Sequence, residues 1–185
     1  MTNFREFLEL NEVSQPTIKY RPKNYKELAK LVADRNIFLG SIDTSLITDM
    51  NGLFSNNSDY VYNGGNPRTD FQGIEHWNVS KVKDMGNMFA RAKIFNVDLS
   101  KWDVSNVENM SGMFYDTKSF VGTGLSKWNV SKVKDMSKMF AKATNFNADI
   151  SKWNVKNVKD ARDMFDGASR QKEEWCPKFN NDVRQ

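Results

Sequence analysis

The chain has 185 residues, 39% of them hydrophobic and 12% aromatic, which is enough apolar surface for one packed domain and argues against wholesale disorder. Its 27 basic and 23 acidic residues leave a formal charge of +4, which favours solubility without specifying a partner. One cysteine, Cys176, and one histidine, His76, exclude an internal disulfide framework, a multi-cysteine metal site and any relay built on two imidazoles.

From the N-terminus, Met1 to Leu10 carries acidic residues where a signal peptide needs a continuous apolar run, and no later stretch is long enough to span a membrane, so a soluble chain is expected. Residues 1–41 read as an N-terminal segment with a helical cap: Tyr25, Leu28, Leu31 and Val32 have helical spacing and follow Pro22.

Residues 42–169 read as a tandem repeat. Trp77, Trp102, Trp128 and Trp153 recur at offsets of 25, 26 and 25, and each is followed twelve residues later by Phe89, Phe114, Phe140 or Phe165. A degenerate first copy has Ile42 in the tryptophan place and Phe54 twelve residues on, which makes five units. Met85, Met88, Phe89 and Ala92 have the spacing of one apolar helix face, and Asp49, Asp84, Asn109, Asp135 and Asp160 stand where helix N-caps are expected. Asp98 to Val104 and Ala148 to Val155 alternate apolar and polar residues, as an extended strand does. The expected fold is therefore an α/β repeat solenoid, leucine-rich-repeat-like, of five stacked units with a short strand and a helix each. The offset of 35 between the first two units places a long loop at residues 55–76, and glycines in Val121 to Gly124 absorb one extra residue. Residues 170–185 read as a C-terminal cap and tail, because Gln171 replaces the second phenylalanine of the unit, present as Phe95, Phe120 and Phe146, and Ala161 replaces the motif methionine.

The run Trp-Asp/Asn-Val-Ser-Asn/Lys-Val-x-Asp/Asn-Met-x-x-Met-Phe, followed by Phe-Asn-x-Asp-Leu/Ile-Ser-Lys-Trp, resembles the BspA-like leucine-rich-repeat family of bacterial surface proteins over about Ile42 to Ser169. The resemblance implies a right-handed solenoid of short parallel strands and helices. It also implies adhesion or host interaction through binding of protein or surface glycan, at a cell surface or in secreted form. It implies no catalytic residue. The sequence shows no signal peptide, lipobox cysteine or wall-sorting tail, so a cytoplasmic location stays open beside the surface one.

The tryptophan column is read as packing rather than as a ligand platform, and the methionines as core filling. The aspartates lack the dense spacing of a calcium loop, so no metal is expected, and no cofactor motif is present. Lys101, Lys127 and Lys152 before the tryptophans, and Lys81, Lys83, Lys132, Lys134, Lys156 and Lys159 after them, form stripes that can attract anionic polymers, interrupted by Asp103, Asn106 and Glu108. Nucleic-acid motifs are absent. The reading is a non-enzymatic binding module whose candidate contacts are the loop residues Tyr60, Tyr62, Asn63, Asn66 and Arg68, a mixture of flat aromatics and adaptable polar groups. The alternatives are a structural spacer with no ligand of its own and a binder of anionic polymers through the lysines.

Overall fold

The computed structural model describes residues 16–56, 68–180 and 183. The repeat units stack as coils, but their local structure differs from the expected strand and helix. Among the described residues there is one α-helix, α1 (Tyr25–Ala33), with 3₁₀ turns at Leu39–Ser41, Ile74–His76, Leu125–Lys127 and Glu173–Trp175, and no strand. No described helix is long and apolar enough to cross a membrane.

The helix expected at Met85 to Ala92 is instead a chain of three-residue turns. Met88 N–H donates to Met85 O at 3.2 Å, Ala90 N–H to Asn87 O at 3.0 Å and Ala92 N–H to Phe89 O at 2.9 Å. The alternate amides point along the stack. Met85, Asn87, Phe89 and Arg91 donate to the carbonyls of Asn109, Ser111, Met113 and Tyr115 at 2.7 to 2.9 Å, and the same four rungs recur between every successive pair of the five coils. Three-residue turns place residues three apart on one side, which is why Met85, Met88, Phe89 and Ala92 mimic a helix face while all lie buried. An α-helix is ruled out because Asn87 and Arg91 have φ of 53° and 61°.

The aspartate column does not cap helices either. Its members form the single file of parallel bridges Asp49–Asp84–Asn109–Asp135–Asp160, and their side chains accept from the N–H two residues on, as Asp84 Oδ1 does from Gly86 at 2.8 Å. The carboxylate meets a free amide as expected, but in an Asx turn that opens the run. The alternating segments expected as strands are also turns: Asp98 Oδ1 accepts from Ser100 N–H at 2.8 Å, and Trp102 N–H donates to Leu99 O at 3.1 Å.

The core consists of columns. Phe54, Phe89, Phe114, Phe140 and Phe165 stack with centroids 5.4, 5.7, 5.6 and 5.7 Å apart and planes within 10° of parallel. Phe95, Phe120 and Phe146 form a second column, and each packs 3.9 to 4.2 Å from the first-column ring of its own coil. Phe71 joins that column edge-on, 5.1 Å from Phe95. It is the second phenylalanine of the first unit, displaced by the insertion. Each of the four repeat tryptophans is at most 5% exposed, and its indole N–H reaches back one coil: Trp77 to Leu39 O, Trp102 to Ile74 O, Trp128 to Leu99 O and Trp153 to Leu125 O, at 2.9 to 3.1 Å. The indole thus packs as a hydrophobe and satisfies a buried carbonyl at once. Between Trp102 and Trp128 the extra residue is taken up at Gly122 and Gly124, both at φ 89°; a Cβ on Gly124 would lie 2.3 Å from Ser100 N.

Both ends are covered. Over the first coil, α1 buries Leu28, Ala29 and Val32, and its Asn24 cap accepts from Glu27 N–H. At the other end the turn Glu173–Trp175 puts Cys176 in the tryptophan place and brings Val183 O to Ala161 N–H at 2.7 Å, so the tail begins a sixth coil.

Two stability measurements test this core. Phe114→Ala removes a fully buried ring stacked on Phe89, Phe120 and Phe140 and should cost about 3–5 kcal/mol in urea unfolding. Lys138 holds φ 55° in the column where Gly52 and Gly112 also stand; Lys138→Gly should raise the unfolding free energy in urea by about 0.5–1 kcal/mol after the extra entropy of glycine in the unfolded chain is offset, whereas Lys138→Val should lower it.

Candidate functional site

Columns that face the core repeat because each coil must match its neighbour, whereas outward columns are free to vary. The thirteenth residue after each tryptophan is Ala90, Tyr115, Ala141 and Asp166; the two alanines are buried, whereas the larger Tyr115 reaches partly into solvent and Asp166 is exposed. Its backbone is held on both sides: Tyr115 N–H donates to Gly112 O at 2.9 Å, and Tyr115 O accepts from Arg91 N–H at 2.7 Å. The Arg91 guanidinium and the Lys142 ammonium lie 5.9 and 5.5 Å from its ring centroid, one from the coil before and one from the coil after. Hydrogen bonding from Lys142, supported by its charge and by Arg91, lowers the Tyr115 hydroxyl below its ordinary value, and the same contact raises Lys142.

A shallow groove of about 380 Å³ runs beside this ring, lined by Asn87, Arg91, Ser111, Ser137 and Lys138 with Tyr115. The serine hydroxyls are committed to the turns: Ser111 donates to Asn109 Oδ1 at 2.8 Å and Ser137 to Asp135 Oδ1 at 2.7 Å. The groove therefore offers an aromatic face, hydroxyl lone pairs, one amide side chain and two cations, with Lys142 beside the ring.

Of the loop residues singled out in the sequence, Tyr60, Tyr62, Asn63 and Asn66 lie outside the described residues. Arg68 is 9% exposed and serves the cap. Its guanidinium donates to the carbonyls of Val32 and Asp34 at 2.9 and 3.0 Å, and to those of Ile37 and Asp70, satisfying the orphan carbonyls at the end of α1. Burial holds that guanidinium below its ordinary pKa. Such a side chain is committed internally and is not offered to a partner. Asn56 is tied to the next coil, donating through N–H to Ala90 O and through Nδ2 to Arg91 O.

The lysine stripes are partly engaged. Lys134 pairs with Glu108, and Lys132 donates to Asn106 Oδ1 at 2.6 Å, while Lys101, Lys127 and Lys152 stand exposed in one column. Among the described residues no three His, Cys, Asp or Glu side chains are grouped to hold a metal ion. The groove was missed in the sequence because attention fell on what repeats and on the insertion. A comparison of the outward columns would have isolated Tyr115.

The residues just after the tryptophans explain a further set of carboxylates. Asp103 Oδ1 accepts from Ser105 N–H at 3.0 Å, and bonds from the Ser105 hydroxyl and amide hold its pKa below the ordinary 3.8. A depressed folded value stabilises the fold above the unfolded value, and that stabilisation is lost as pH falls through the folded one. Asn78 and Asn129 make the same turn without a proton to gain. Asp103→Asn should therefore flatten the fall of Tm between about pH 5 and pH 2 while leaving it unchanged at pH 7.

The family described as Mycoplasma protein of unknown function, DUF285, matches residues 5–121 and again residues 61–179. The overlap of the two stretches is what a tandem repeat produces when it is aligned in two registers. No curated protein and no solved structure matches the chain.

Proposed function

We propose that this chain, which belongs to the DUF285 family, is a non-enzymatic recognition module built in the manner of BspA-like leucine-rich repeats. In this reading it takes a protein or a surface glycan on the side that carries Tyr115. The observation that supports this is the break in the outward column: packing accounts for the repeated residues, and it does not account for a tyrosine, flanked by Arg91 and Lys142, where neighbouring coils carry alanine. A tyrosine held by a rigid backbone gives contact area at low entropic cost, and flanking cations bias the ligand toward carboxylate, sulfate or phosphate groups. Tyr60 and Tyr62 enter the proposal on their sequence alone, as flat aromatics in a polar insertion. Arg91 and Lys138 in the groove, with Lys142 beside the Tyr115 ring, also favour, as a second reading, capture of an anionic polymer over a purely structural spacer.

The test is a glycan array together with capture from host-cell surface extracts, comparing the full chain with Tyr115→Ala and with a Tyr60→Ala/Tyr62→Ala double variant. Alanine is native to this column, so Tyr115→Ala should leave Tm within a degree or so of wild type, as is usual of surface changes. It should weaken capture about tenfold or more, the effect of truncating an interface tyrosine. Undiminished capture by Tyr115→Ala removes the groove from the site. Retention of sulfated polymers alone selects the anionic reading.

A further inference from the structure

The polar groups of the groove beside Tyr115 select a ligand class by what they have left to bond. Its backbone is spent. The amides of Asn87, Gly112 and Lys138 donate to Ser111 O, Ser137 O and Arg162 O at 2.8 to 2.9 Å, and those of Ser111 and Ser137 donate to Asn109 Oδ1 and Asp135 Oδ1. A peptide strand therefore finds no edge to pair with. Among the described lining residues Ala90 is the one aliphatic side chain, too little to seat an apolar anchor.

Acceptors, one carboxamide and cations remain. Ser111 and Ser137 stand on successive coils and give their hydroxyl protons to Asn109 and Asp135, so each Oγ has only lone pairs left for a ligand. Asn87 lies across the bare Cα of Gly112, where a Cβ would meet Asn87 Oδ1 at 2.4 Å. The carboxamides of Asn51 and Asn109 are bonded to Asp84, whereas that of Asn87 has no partner among the described residues. The exposed Lys138 ammonium likewise has no acceptor among them.

We infer that this groove takes an acidic saccharide: its hydroxyls donate to Ser111 Oγ and Ser137 Oγ and bond the Asn87 carboxamide, while its carboxylate or sulfate lies at Lys138. The inference rests on the recognition reading above and narrows it to one ligand class. A polyanion without hydroxyls has nothing to donate to the serine oxygens, and a neutral sugar leaves the Lys138 charge unused. A polyol that carries an acid answers both. Tyr115 supplies a ring against which the C–H groups of a sugar pack, and Arg91 adds a second cation from the coil before it.

The experiment titrates the full chain with four probes. Hyaluronan oligosaccharides supply a carboxylate and dextran sulfate a sulfate, while neutral dextran and polyglutamate separate hydroxyls from charge. At least one acidic sugar should bind about tenfold or more tighter than either control, and whichever binds identifies the acid. Lys138→Asn puts at φ 55° a residue that Asn87 already carries at φ 53°, and it should weaken that sugar about tenfold. Lys127→Gln removes the same charge outside the groove and should leave affinity within about twofold. Asn87→Gly, native to this column at Gly52 and Gly112, should weaken binding about fivefold. Equal binding of polyglutamate or dextran, or equal loss in Lys138→Asn and Lys127→Gln, would overturn the proposal. Failure of both acidic sugars to bind would do the same; if capture of cell-surface material is then still lost in Tyr115→Ala, only the saccharide class falls and the recognition reading stands.

Discussion

Every second amide in the Met-x-x-Met-Phe run points out of its own coil, and the protein depends on the next coil supplying the carbonyl. Left-handed residues at Asn87 and Arg91, and at Gly52, Gly112, Asp116, Lys138, Lys142, Asp163 and Gly167 in the other coils, turn those amides outward. A coil on its own would leave four donors unpaired next to an apolar face, so a single unit has no stable form and the stack is the smallest folding entity. The spacing set by this ladder then fixes the rest: it holds successive phenylalanines 5.4 to 5.7 Å apart and sets each indole N–H within reach of a carbonyl one coil back.

That division of labour separates packing from recognition. Inward columns are constrained by the coils above and below and repeat almost without change. Surface columns are less constrained by the stack, and a departure from their pattern is not required by packing. Tyr115, between Arg91 and Lys142, is such a departure. Arg68 is the opposite case. Its place in a polar insertion invites a binding role, yet the end of α1 has carbonyls with no intrahelical partner, and the guanidinium fork satisfies them.

The period, the five units, the buried tryptophans and the α1 cap were legible from residue spacing. Local conformation was not. The pattern Met85, Met88, Phe89, Ala92 is shared by an α-helix and by a succession of three-residue turns, since both return a side chain to the same face every third or fourth residue. What separates them is the sign of φ at Asn87 and Arg91, for which asparagine is a weak signal and arginine none. Asp98 to Val104 alternates because turns, like strands, send neighbouring side chains to opposite sides. The tail reads as a cap because Gln171 and Ala161 break the repeat motif; only the bond from Ala161 N–H to Val183 O reveals that it begins a sixth coil.

The sequence by itself determined that the chain is a tandem array whose apolar columns must stack, because only a repeated neighbour can bury a face that recurs every 25 or 26 residues. Tertiary structure alone decided where the amides go. A backbone donor has the same identity in every residue, so whether it closes a turn within its coil or crosses to the next depends on the left-handed positions and on a carbonyl lying one coil away. The same geometry gathered Arg91, Tyr115 and Lys142, from three different coils, on one side of the molecule.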